Sequence, residues 1–221
     1  MEVSDLLSDA RQQIDDTVLP YQWPDTYLIQ CLAEAEDEGA FRGNLIFDDS
    51  NAEICSVAIL TGQARYSLSP KIIEVKYALL VTASGARIEL TMTNQDDIMR
   101  GNRDWKSVTG KPKCIAIDGQ SALIWPTPTE AGTLSLDVYR RPQYELESTD
   151  DEPEIPEHHH KHLIHWVEYR CYSNKDSEKY DPERAKVAED LFTRRFGVRR
   201  DANVIRKQRE KSSHSIRYGG L

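Results

Sequence analysis

The sequence predicts an α+β protein: a helical bundle built from both chain ends, an inserted antiparallel β lobe, and an extended C-terminal arm. Three observations carry this. Helix-period patterns fill about the first 40 residues and return over residues 155–192. The stretch between them has strand periodicity broken by turn chemistry. After Gly197 the periodicity collapses. Two helical pieces on either side of a β segment have to meet to share one apolar core. The expected parts are residues 1–45 and 146–196 for the bundle, 46–145 for the β lobe, and 197–221 for the arm.

Val3, Leu6, Leu7, Ala10 and Ile14 recur at i, i+3, i+4 and i+7, which predicts an amphipathic helix over residues 2–15. Leu19-Pro20 breaks it. Pro24 and Asp25 suit the first turn of a second helix, where a missing N–H costs little and a carboxylate meets the positive end of the dipole. Leu28, Leu32 and Ala35 form its stripe, and Gly39 marks its expected end.

Strands are expected at Ile54–Leu60, Arg65–Leu68, Ile72–Leu80, Arg87–Met92, Lys113–Asp118, Ala122–Trp125 and Thr133–Tyr139. The Asp118-Gly119 turn in IAIDGQSALIWP predicts a hairpin. Asn94–Met99 reads as a short helix and Gly101–Gly110 as a loop around Trp105. ELESTDDEPEIPE (residues 145–157) holds seven acidic side chains, no basic ones and two prolines, so it reads as a linker back to the bundle. A helix is expected from about Glu157. Asp181-Pro182-Glu183 caps the next, whose face is Ala185, Ala188, Leu191 and Phe192.

At 221 residues the chain can bury a core without staples. It opens acidic and amphipathic, unlike a signal peptide, and no apolar run approaches the roughly 18 residues of a spanning helix. Cys31, Cys55, Cys114 and Cys171 form no metal or redox spacing and read as free thiols of a reducing compartment. The net charge of −9 is uneven. From Arg194 to Leu221 nine Lys/Arg face Asp201 and Glu210, so this stretch carries +7 and residues 1–193 carry −16. An acidic body would repel phosphate.

No constellation for catalysis emerges. His158, His162 and His165 share a helical face beside His159 and His160, but no HExxH or cysteine ligand accompanies them. They read as structural or surface histidines, with no metal. Asp48-Asp49, Asp96-Asp97 and Asp150-Asp151 read as solvated turns, because a two-carboxylate site needs groups converging from separate elements. Phosphate-loop, nucleophile-elbow and dinucleotide motifs are absent from the sequence. The reading is of a protein that is not an enzyme and needs no cofactor.

The tail GVRRDANVIRKQREKSSHSIRYGGL admits three readings: a solvated extension, an arm that orders on a partner, or a phosphate-binding arm. The second is favoured. Its candidate contacts are Arg199, Arg200, Val204, Ile205, Arg206, Lys207, Arg209, Lys211, Ile216, Arg217 and Tyr218, apolar anchors set among cations.

Two stretches resemble the head-to-tail adaptors of short-tailed phages. In DDTVLPYQWPDTYLIQCLAEAEDE the matching positions are Tyr21, Trp23, Pro24, Asp25, Leu28, Leu32 and Glu34, with Pro24 where the family has serine. IPEHHHKHLIHWVEYRCYSNKDSEKYDPERAKVAEDLF is similar to the closing helix pair, with Val167, Tyr169, Arg170 and Tyr172 in its core. LIWPTPTEAGTLSLDVYRRP looks like the family's strand–Pro–Pro–Gly–strand run. The resemblance implies a homo-oligomeric ring, commonly of twelve copies, at the neck of the virion and assembled in the host cytoplasm. Portal protein would lie above it and a tail tube or nozzle protein below. DNA would pass through its channel without specific binding, no membrane would be involved, and C-terminal arms would reach portal clefts. Alternatives are a head-completion or stopper ring, or a nucleic-acid-binding protein acting through the basic tail.

Overall fold

Two units make up the protein in a computed structural model that describes residues 1–101, 104–199 and 201. One comprises Met1–Ile46 and Arg140–Arg199, the other Phe47–Tyr139. The first is helical. Helix α1 (Val3–Gln13) buries Val3, Leu6, Ala10 and the following Ile14 completely. After the 14–24 loop, α2 (Asp25–Gly43) returns with Leu28, Leu32 and Ala35 equally buried. It runs one turn past Gly39 and stops at Asn44, whose φ of 50° is left-handed. Gly39 is a packing residue rather than a stop, since a Cβ there would lie 3.0 Å from the Phe196 ring.

The C-terminal piece enters as a 3₁₀ segment, Glu157–Leu163, before α5 (Ile164–Ser173), with α3 (Ala52–Cys55) and α4 (Gln95–Gly101) lying in the second unit. Helix α6 (Pro182–Phe196) begins where the Asp181 carboxylate accepts from the N–H groups of Glu183 and Arg184, both at 3.0 Å. Helices from both chain ends share one core in which Leu32, Leu163, Val167 and Phe192 are fully buried. Trp166 is only half-buried. It lies against that core with its ring 4.9 Å from Phe192.

The acidic stretch before α5 is a strap, not a loose linker. Leu146, Pro153 and Ile155 are buried. Val3 and Ser4 donate backbone N–H groups to the carbonyls of Asp151 and Thr149, each at 2.9 Å. The buried Glu36 carboxylate accepts from the N–H of Glu154 at 2.5 Å and of Ile155 at 3.3 Å. Arg140 pairs with Glu154 at 2.6 Å, and Arg141 with Asp37. Acidic side chains here therefore hold backbone and cations.

In the second unit, one sheet takes the order β1 (Ile46–Asp48), β11 (Gly132–Arg140), β4 (Ile72–Thr82), β5 (Arg87–Glu89), with β2 (Ser56–Ile59) also on β11. Another orders β3 (Arg65–Ser67), β9 (Ser121–Trp125), β8 (Cys114–Asp118), β6 (Thr91–Thr93). Most pairs are antiparallel, but β6 with β8 is parallel, as is the short pair β7 (Thr109–Gly110) with β10 (Thr127–Pro128). Ile59, Leu80, Ile115, Ile124, Leu134 and Leu136 fill the core. The β8–β9 hairpin forms as read, with Gly119 first of two loop residues at φ 58°. Two expectations change. Residues 52–55 are a helical turn, α3 (Ala52–Cys55), capped by the Asn51 side chain. The single strand expected over Arg87–Met92 is two strands in different sheets, the chain changing partners at buried Leu90. Helix α4 (Gln95–Gly101) stands near its expected place.

Candidate functional site

The point where the C-terminal arm leaves the helical unit is built around one guanidinium. Arg42, in the last turn of α2, is 7% exposed. It donates Nε to Glu38 at 2.9 Å, and Nη1 to the Thr193 hydroxyl at 3.2 Å and the Gly197 carbonyl at 3.3 Å. The Trp166 and Phe192 rings lie 5.5 and 5.2 Å from its carbon. Helix α6 ends here because Gly197 takes φ 95°. Beyond it, exposed Arg199 sets Nε 3.2 Å from the same Glu38 carboxylate. An i, i+4 Glu–Arg pair on α2 thus fixes the exit of the chain, and its carboxylate takes the first cation of the tail.

Of the candidate arm contacts, Arg199 is the one described. Arg200, Val204, Ile205, Arg206, Lys207, Arg209, Lys211, Ile216, Arg217 and Tyr218 lie outside the described residues. Sequence reasoning missed Glu38, Arg42 and Thr193. The Glu–Arg spacing was a usable signal, but its convergence with Gly197 needed the fold.

The histidines lie beside this exit. The His158 and His159 rings lie tilted with centroids 4.1 Å apart, His159 reaches Phe196 at 5.5 Å, and His162 stacks on His165 at 6.0 Å. Buried His160 shares a 2.8 Å hydrogen bond between Nε2 and the Ile155 carbonyl. Burial, then neighbouring imidazoles and Arg195, lowers the pKa values of His159 and His165; for His162 the order is burial, Arg195, then His158. Among the described residues no group of three or more His, Cys, Asp or Glu could hold a metal ion. The acidic pairs do not all stand in solvated turns as expected: Asp96 and Asp97 lie in the first turn of α4, and Asp48 is buried. Asp48 accepts from Ser50 and Asn51, and Asp151 from Glu147 and Ser148. Cys31, Cys55 and Cys171 are buried free thiols, and Cys114 is half-buried.

At the other end of the helices, buried Arg11 clamps the 14–24 loop. It bonds Asp16 at 2.8 Å and the Trp23 carbonyl at 3.0 Å, and Asp16 accepts from the N–H groups of Gln22 and Trp23. The clamp holds out Val18 and Leu19, 78% and 73% exposed. Among the described residues no helix is long and apolar enough to cross a membrane.

The family model for the SU10 adaptor protein matches residues 1–217, and the chain belongs to that family. It is a phage adaptor protein and, as such, a structural component of the virion. No curated protein matches the chain.

Proposed function

We propose that the protein forms a ring, commonly of twelve copies, beneath the portal at the neck of the virion, continuing the DNA channel and offering its far side to the tail tube or nozzle. The observation that carries this is the exit at Arg42, Glu38 and Gly197, which launches a basic tail from a fixed point on an otherwise acidic body. Excess negative charge around a channel opposes phosphate binding and lets DNA slide. The basic segment reaches the portal. Its cations speed encounter and its apolar residues hold the complex.

Attachment to purified portal protein, compared for the full chain and for a chain ending at Gly197, tests this reading. The full chain binds and the truncated chain stays folded but does not. Equal binding by both would remove the arm from the mechanism. Retention of the full chain on DNA near physiological salt, lost on truncation, would favour the nucleic-acid reading instead.

A further inference from the structure

The second unit contains a socket whose chemistry matches an exposed feature of the first. A cavity of about 730 Å³ opens between α4, the 3₁₀ turn Trp105–Ser107 and strands β3 and β9. Its floor is aromatic and aliphatic: Trp105, Trp125 and Leu123, with Met99 45% exposed at the side. The Trp125 indole donates to the Trp105 carbonyl at 3.0 Å, which sets the two tryptophans in a fixed relation. Exposed Arg65 and Lys106 stand on its lining, with Lys106 Nζ 5.6 Å from the Trp105 ring. Among the described residues, Asp104 is the one carboxylate on the lining beside these two cations, within a chain of net charge −9. This volume accommodates several side chains, and its lining suits an aromatic anchor flanked by carboxylates.

The strap presents such an anchor. Tyr144 is 73% exposed, and exposed Glu145 and Glu147 follow it. It is also preorganised. The Glu154 carboxylate accepts the backbone N–H of Gln143 at 2.6 Å and of Tyr144 at 3.2 Å, and buried Leu146 holds the next turn down. A fixed, protruding tyrosine is the kind of side chain that dominates protein contacts, because little entropy is lost on docking.

We propose that Tyr144, with Glu145 and Glu147 beside it, plugs the tryptophan-lined socket of a second copy of this chain, the carboxylates meeting Arg65 and Lys106. This rests on the ring reading and names its copy-to-copy contact. Plug and socket are different surfaces of one chain, so the contact is head-to-tail and propagates around a closed ring.

The test compares wild type, Tyr144→Ala and Lys106→Glu by sedimentation velocity of the full chain, and by electron microscopy on portal protein. Both positions are exposed, and an unchanged thermal melt confirms that each variant folds. Each variant weakens copy-to-copy association by about tenfold or more. An equimolar mixture of the two stops at dimers, because one intact plug meets one intact socket. Glu145→Lys with Glu147→Lys in the Lys106→Glu background recovers part of the loss. If both variants assemble as tightly as wild type, the plug contact is wrong while the ring stands. If Lys106→Glu loses a tail component but keeps assembly, the socket belongs to that partner and the proposal is again overturned. If wild-type copies associate neither free nor on portal, the ring reading falls, and this contact with it.

Discussion

Arg42 in the last turn of α2 donates to the Gly197 carbonyl at 3.3 Å, joining residues 155 positions apart where the tail begins. The guanidinium is hidden from water and also serves Glu38 and Thr193. Replacing Arg42 with Ala leaves these acceptors with fewer partners, and destabilisation of about 2–4 kcal/mol is expected. Urea unfolding measures it. A cost below about 0.5 kcal/mol, the range of an ordinary surface site, would mean that the network does not hold the exit.

Glu36 predicts a pH dependence. Burial raises its pKa from the usual carboxylate value to about 7, although the N–H groups of Glu154 and Ile155 oppose the shift. A carboxyl whose folded pKa is raised contributes stability that is complete below its unfolded pKa, near 4.5, and is lost as pH rises through 7. Its contribution therefore falls between about pH 4.5 and 7, by on the order of 3 kcal/mol at most. Glu36→Gln keeps an oxygen to accept both N–H groups and removes the titration. Urea midpoints across that range should decline less steeply in the variant, and equal slopes would contradict the assignment.

Gly132 opens β11 where a Cβ would sit 2.4 Å from the Val81 carbonyl oxygen, a backbone atom that cannot swing aside. Gly132→Ala should therefore cost about 2 kcal/mol or more through forced separation of β11 and β4. A thermal melt with no loss would show that the two strands part freely.

The histidine ridge is read as structural. Changing His158, His162 and His165 together to Gln should leave assembly intact, since none of the three provides the Ile155 contact made by His160. A stoichiometric metal in untagged wild type, lost in the variant along with ring formation, would reverse this.

Much of the helical unit was legible because its stripes are plain: Val3 to Ile14 and Leu28 to Ala35 are buried as their spacing requires. The Asp181-Pro182 cap and the Asp118-Gly119 turn are local chemistry and were readable as such. What could not be read depends on partners distant in sequence. Alternation across Arg87–Met92 cannot show that the chain leaves one sheet for another at Leu90. Short strands such as β1, β7 and β10 hold too few residues for a period to register. The strap looked like a linker because composition reports its charges, not the backbone donors they accept. At the exit, Arg199 pairs with Glu38 of its own unit, a contact that says nothing of the portal, and that pairing follows from the packing of α2 against α6, which the sequence does not display.

The central claim is that this chain assembles as a ring on the portal. Electron microscopy of the protein alone and mixed with portal protein measures this most directly, through mass, symmetry and contact. The expected result is a closed ring of copies seated on the portal, with density for residues 198–221 running onto the portal surface. A protein that stays monomeric in both samples and binds no virion component would contradict it.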